Sequence, residues 1–151
     1  MKNIYTLLLL LITTGVFAQD AEKAEVQKTI ESFFDGFHKQ DSVHIKKVVH
    51  SSAILQTIGM NRQGEMGLKT EDFSKFLKSI STIPATMKFE EKIKSYSIQI
   101  DGAMANAWTE YEFWINDEMS HCGVNSFQLF KDDGKWKVIY LIDTRRREGC
   151  K

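Results

Sequence analysis

Apolar positions set the first element. From Ala21 to Lys39, Val26, Ile30, Phe33, Phe34 and Phe37 fall at steps of four, three, one and three, which marks one face of a helix. Asp20 stands where an N-cap would stand. Asp41 is placed to cap a second, short helix with Ile45, Val48 and Val49 turned inward. "SAILQTI" alternates as a strand does, and "GMNRQGEMG" carries glycines at both ends and in the middle, so it reads as a loop or short hairpin. Thr70 is expected to cap a third helix carrying Phe73, Phe76, Leu77 and Ile80, and Pro84 ends that connection.

Beyond Pro84 the pattern is that of strands. "KFEEKIKSYSIQI" predicts one long strand with a bulge near Ile93, where the alternation changes phase. Asp101-Gly102 turns the chain into "AMANAWTEYEFWI", with Ala105, Ala107, Thr109, Tyr111 and Phe113 on one face. A turn at Asn116 to Glu118 leads into "SHCGVNSFQLF". The Asp133-Gly134 step, a strong hairpin signal, leads into "KWKVIYLIDT".

Turns fix register, and register fixes neighbours. A two-residue Asp133-Gly134 turn sets Lys135 opposite Asp132 and Val138 opposite Leu129. Regular alternation then predicts Tyr140 opposite Phe127, Ile142 opposite Asn125, Thr144 opposite Gly123 and Arg146 opposite His121. The preceding turn sets Tyr111 opposite Gly123 and Phe113 opposite His121. One face thus gathers Trp136, Val138, Tyr140, Ile142, Phe127, Leu129, Tyr111 and Phe113, and becomes polar towards one end through Asn125, Thr109, His121, Thr144 and Arg146. An apolar concave face with a few convergent polar groups is what a small-molecule pocket needs. The other face carries Cys122, Val124, Ser126, Gln128, Ile139, Leu141, Asp143 and Arg145. Its mixed character suits a homodimer packed through the sheet.

The first residues change the compartment. "MKNIYTLLLLLITTGVFAQD" has a basic start, an apolar core and small residues at Val16 and Ala18, the pattern of an export signal cleaved after Ala18. Its apolar run is too short for a stable membrane anchor. Residues 19–151 then form one domain, exported to the periplasm or the medium. Lys+Arg and Asp+Glu both number 20, so no global field draws the chain to nucleic acid or an anionic membrane. Cys122 and Cys150 are the two cysteines, and export permits a disulfide between them; two free thiols are the other reading.

No phosphate loop, nucleophile elbow or metal-ligand spacing is present, and nothing in the pattern asks for a cofactor. His121 is the best candidate base, with His50 and Asp41 a weaker pair; a strand-end position in solvent is the plainer reading of His121. His38 and His44 read as solvated helix surface. Arg145, Arg146 and Arg147 close the last strand. Alternation sends Arg146 towards the pocket, where a guanidinium grips a carboxylate or phosphate through parallel hydrogen bonds; a solvated tail is the alternative.

The order of elements, with "HSSAILQT" at 50–57, "SHCGVNSFQLF" at 120–130, "GKWKV" at 134–138 and "DTRRREGC" at 143–150, resembles the nuclear-transport-factor-2-like superfamily. Ketosteroid isomerases and polyketide cyclases belong to it, and the nearest likeness is to an exported bacterial branch labelled "putative lumazine-binding". The resemblance implies an α+β fold, a strongly curved antiparallel sheet wrapped around a long N-terminal helix as a cone, and homodimers joined through the sheet. The first helix offers Phe33, Phe34 and Phe37 where the isomerases carry a tyrosine, and no inward carboxylate is predicted on the last strands, so isomerase chemistry is disfavoured. The leading expectation is a non-enzymatic domain for a small apolar or aromatic ligand, with an anionic group facing Arg146 and His121, and with Tyr111, Phe113, Asn125 and Tyr140 around it. An isomerase, lyase or hydrolase with a histidine base is the alternative, and an interaction module whose pocket is filled by side chains is the second.

Overall fold

In the computed structural model the backbone is described for residues 2–84 and 86–150, and side chains from Gln19 onward. The side chains of the predicted export signal therefore lie outside the described residues. Helix α1 (Lys2–His38) runs through Asp20, which is inside the helix and not its cap. Helix α2 (Ser42–Val48) is capped as expected: the Asp41 carboxylate accepts from the amides of Val43 and His44. Strand β1 (Val49–Met60) and β2 (Met66–Asp72) form a hairpin, so "GMNRQGEMG" is strand on both sides of a short turn at Asn61 to Glu65. Thr70 lies inside β2. The cap of α3 (Phe73–Ser81) is Asp72, which accepts from the amides of Ser74 and Lys75. An aspartate reaches these amides at least as well as a threonine, and the strand consumes the two residues before it.

The long strand expected after Pro84 is two strands, β3 (Phe89–Ile93) and β4 (Ser97–Asp101), both paired with β5 (Met104–Ile115). The phase change near Ile93 marks this break. Strands β6 (Glu118–Asp132) and β7 (Lys135–Thr144) complete a sheet of order β2-β1-β7-β6-β5-β3, antiparallel except where β1 runs parallel to β7. The fold is thus α+β, a curved, unclosed sheet around the long helix.

Core residues from all three helices and the sheet meet inside the curve: Val26, Ile30, Phe33, Ile45, Ile80, Ala105, Phe127, Leu129 and Val138 are each at most 2% exposed. Phenylalanines fill the interior. Phe33 and Phe34 pack edge-on against Phe127, and Phe37 packs against Phe89 with ring centroids 5.0 Å apart. Glu22 ties α1 to the β6–β7 hairpin by accepting from Lys131 and from the Trp136 indole.

Register holds at the first turn and slips at the second. Tyr111 pairs with Gly123 and Phe113 with His121, as predicted. On β7, Lys135 and Val138 also pair as predicted, but a bulge follows, and Tyr140 pairs with Gln128, Leu141 with Phe127, Ile142 with Ser126 and Asp143 with Asn125. One inserted residue exchanges the faces of everything after it. Tyr140 and Ile142 therefore lie on the outer face, where the Tyr140 hydroxyl donates to Gln56. Leu141 and Asp143 point inward, and Arg146 pairs with Cys122, not His121.

Candidate functional site

Two inward rows of residues define the wide end of the curve. In the first, Thr109, Asn125, Asp143, Thr57 and Lys69 are direct partners across β5, β6, β7, β1 and β2. In the second, Tyr111 faces Gly123, and Gly59 faces Gly67. Arg145 sits between these pairs: its amide donates to the Ile58 carbonyl, and its Cβ is 3.5 Å from where a Cβ on Gly59 would stand.

The carboxylate of Asp143, a residue 8% exposed, organises this end. Oδ1 accepts from the Thr57 hydroxyl at 2.6 Å, and Oδ2 accepts from Arg145 Nε at 2.8 Å. Arg145 Nη2 also donates to Thr57 at 3.3 Å, so two contacts fix the plane of the guanidinium. The Tyr111 hydroxyl donates to the Thr144 carbonyl at 2.9 Å, within 3.4 Å of Asp143 Oδ2. Burial and the Asp143 charge raise the tyrosine's pKa far above its ordinary value, so it stays a neutral donor.

Gly123 makes this arrangement possible. A Cβ there would stand 1.8 Å from the Thr144 carbonyl oxygen and 2.8 Å from the Tyr111 ring. The tyrosine lies across the bare backbone of its partner, a known way for an aromatic to complete a glycine in a sheet.

Deeper in, Asn125 Nδ2 donates to Glu91 Oε1 at 2.7 Å, and the Glu91 amide donates to His38 Nε2 at 2.9 Å. Burial pushes the Glu91 pKa up to about 7; the Asn125 hydrogen bond opposes this and the Asp143 charge adds to it. His38 is accordingly a half-buried acceptor and not a solvated residue, and burial lowers its pKa. His44 is half-buried as well, with Nε2 2.8 Å from the Ser32 hydroxyl. Thr109 Oγ1, fully buried, is without a hydrogen-bond partner among the described residues.

An open cavity of about 990 Å³ lies at the mouth, lined by Thr57, Gly59, Gly67 and Lys69 of the β1–β2 hairpin, His121 of β6, and Arg145 to Glu148 of the tail, with Met60, Met66 and Leu68 at its edge. His121 stacks on Phe113 with centroids 4.9 Å apart. Burial and the nearby Arg145 charge push its pKa down to about 4, so near neutral pH the ring is uncharged.

Of the residues singled out from sequence, His121 and Arg146 line this cavity, while Tyr111, Phe113, Asn125 and Tyr140 are not among its lining residues. Asp41 is engaged as the α2 cap, and His50 Nδ1 with Ser52 at 2.7 Å; neither lines the cavity. Thr57, Lys69, Glu91, Asp143 and Arg145 were not anticipated. The Asp143-x-Arg145 spacing alone places both on one face; the bulge decides which face. Cys122 and Cys150 lie at disulfide distance, Cα atoms 5.7 Å apart, and the Arg146 backbone exchanges both hydrogen bonds with Cys122. Among the described residues no group of three His, Cys, Asp or Glu side chains is arranged to hold a metal, and no helix is long and apolar enough to cross a membrane.

Comparison with known proteins adds the following. The family model described as "putative lumazine-binding" matches residues 21–140. No curated protein matches. A nuclear-transport-factor-2-like protein of unknown function from Shewanella baltica OS155 superposes with a TM-score of 0.62 at 20% identity, covering 85% of this chain and 96% of that one. A protein of unknown function from Mycobacterium tuberculosis gives 0.71 at 13% identity, covering 89% and 77%. A protein described as a "putative dehydratase" of the same structural group, from Streptomyces avermitilis, gives 0.65 at 9% identity, covering 85% and 98%. At these identities the likeness shows the fold alone.

Proposed function

Because the chain belongs to the family described as "putative lumazine-binding", whose fold suggests small-molecule binding, we propose that it is an exported binding domain that holds a small anionic, partly apolar ligand at the mouth of the cone. The observation carrying this reading is the Arg145 guanidinium, fixed by Asp143 and Thr57 at the wall of the cavity. Among the described residues its remaining N–H groups have no partner, so they can take a carboxylate or phosphate, and a held guanidinium loses little freedom on binding. Lys69, Arg146 and Arg147 add positive charge, and Met60, Met66 and Leu68 an adaptable apolar edge. Arg145 takes the role that regular alternation gives to Arg146. Titration of the purified mature domain with a panel of aromatic carboxylates and phosphate esters tests this: Arg145→Ala should weaken binding about tenfold or more, as loss of a charge-assisted contact does, and Arg146→Ala by less. Absence of binding by the wild-type domain across the panel would overturn the reading.

Residues 1–18 act in this reading as the cleaved export signal, and Cys122 and Cys150 as a bridge formed after export. The outer face supports pairing with a second copy. A cross-strand row of Trp108, Ser126, Ile142 and Gln56 lies on it, together with exposed Ile54, Met60, Met66 and Leu68 of β1 and β2 and exposed Met104 and Phe130 of β5 and β6. An apolar patch of this kind marks an interface. It differs from the patch expected from Val124, Ile139 and Leu141 in that Leu141 packs against the core.

One observation favours catalysis as a second reading. Burial pushes the Glu91 pKa up to about 7 where Asn125 holds its carboxyl, whereas burial and the Arg145 charge push that of His121 down to about 4, which leaves it a weak base. An enzyme built on this chain would use Glu91 as its proton donor or acceptor. Turnover lost in Glu91→Gln and kept in His121→Ala would establish it.

A further inference from the structure

Four described glycines do not need left-handed backbone: Gly36, Gly59, Gly67 and Gly123. Two of them answer to close packing. A Cβ on Gly36 would stand 2.8 Å from the Ile45 side chain, and one on Gly123 would strike the Thr144 carbonyl. Among the described residues nothing packs closely enough on Gly59 or Gly67 to require a glycine. A Cβ on Gly59 would make ordinary contact with Arg145 at 3.5 Å, and one on Gly67 would meet nothing within 4 Å. They are nevertheless direct partners across β1 and β2. Glycine inside a strand weakens it and often marks a place where a ligand or another backbone comes close. Among the described residues the Arg145 backbone comes near Gly59, its carbonyl oxygen 3.8 Å from the added Cβ, and none comes near Gly67; both glycines line the cavity that holds Arg145, Lys69, Arg147 and His121.

We propose that Gly59 and Gly67 form a flat floor for a planar aromatic ligand whose acidic group, a carboxylate or a phosphate ester, is held by Arg145. This rests on the cavity at the cone mouth being the ligand site and adds the shape of what enters it. Side chains stand roughly perpendicular to a sheet, so any Cβ at these two positions would occupy the layer in which a ring would lie on the peptide planes. Arg145, whose Cβ adjoins Gly59, sets the acidic group at the rim of that floor. Uncharged His121 offers an aromatic wall in the same cavity.

Naphthalene-2-carboxylate, adamantane-1-carboxylate and 2-naphthamide make a suitable set of probes: flat and acidic, globular and acidic, flat and neutral. Calorimetric titration of the wild-type domain should show the flat acid binding at least tenfold more tightly than either of the others. Gly67→Val should weaken the flat acid about tenfold while keeping the wild-type thermal midpoint within a few degrees, because the new Cβ has no described protein atom within 4 Å. Gly67→Ala should give a smaller loss and serves if the valine variant folds poorly. Unchanged affinity for the flat acid in both Gly67 variants, or equal binding of flat and globular acids, would overturn the floor. If Arg145→Ala loses binding while the Gly67 variants do not, the floor falls and the cavity stands. If the wild-type domain binds none of the acids, the site itself is misplaced and the floor falls with it.

Discussion

Gly123 bears more of the site than any polar residue does. Its missing Cβ lets the Thr144 carbonyl turn inward to receive the Tyr111 hydroxyl. Gly123→Ala is expected to cost about 3 kcal/mol or more, at the upper end of overpacking, read as a fall in denaturation midpoint. Glu91 makes a second prediction, with a sign. Its folded pKa, near 7, lies above the ordinary 4.5, so the native state binds more protons than the unfolded one between those values. Its contribution to stability is therefore fully present at low pH and is lost as pH rises through about 7. His121 acts oppositely, since its pKa near 4 lies below the ordinary 6.5 and stability is lost as pH falls through that interval. The difference between Glu91→Gln and wild type isolates the first effect. The variant should gain relative stability from pH 5 to pH 8, by up to about 3 kcal/mol, since one unit is worth about 1.4. A flat difference would mean that Glu91 is solvated in the folded protein. Sequence exposed His121 because it stands in a strand beside aromatics. It did not expose Glu91, whose character comes from burial against Asn125, a neighbour supplied by two strands distant in the chain.

The bulge in β7 is the element on which the site turns. Without it Asp143 and Arg145 would face outward and Tyr140 inward. "VIYLI" is apolar on both parities, so the pattern there holds no phase information and the slip is invisible to alternation. At β5 and β6 the phase is legible because Ala105, Ala107, Thr109 and Tyr111 alternate with exposed residues; the pairs Tyr111–Gly123 and Phe113–His121 follow from it. The tail after β7 is held by the Cys122–Cys150 contact and the Arg146 backbone. A bridge between the two cysteines would close a loop with a sequence separation of 28, which by chain entropy would stabilise the fold by about 3–4 kcal/mol. Cys150→Ser should lower the denaturation midpoint accordingly and should weaken anion binding, because Arg145 to Glu148 line the cavity. Loss of stability with undiminished binding would mean that the cavity wall stands without the bridge. Asp72→Ala, which removes the α3 cap, should cost about 1 kcal/mol by the same measurement.

At the scale of the molecule, the cone and its helix were legible because their apolar periods are long, and the β4–β5 and β6–β7 hairpins because their turns carry Asp101-Gly102 and Asp133-Gly134. The filling of the cone was not. Phe33, Phe37, Phe89 and Phe113 read equally well as walls of a pocket or as its contents, and the structure packs them ring to ring. The cavity that holds Arg145 lies at the mouth, where a hairpin and a tail distant in sequence meet. The outer face makes its own prediction: Trp108→Glu with Leu68→Glu should turn a dimer into a monomer by light scattering, with the fold retained, since Trp108 is 54% and Leu68 60% exposed. A wild-type domain that stays monomeric at high micromolar concentration would remove the sheet-to-sheet pair. The location of the ligand is tested most directly by backbone and methyl resonance shifts of the labelled domain during titration with naphthalene-2-carboxylate. Shifts should gather at Gly59, Gly67, His121, Arg145 and Arg147, and leave Ile30, Ile80 and Leu129 unmoved. Shifts centred on those core residues, with the mouth silent, would place the ligand inside the cone and contradict the account.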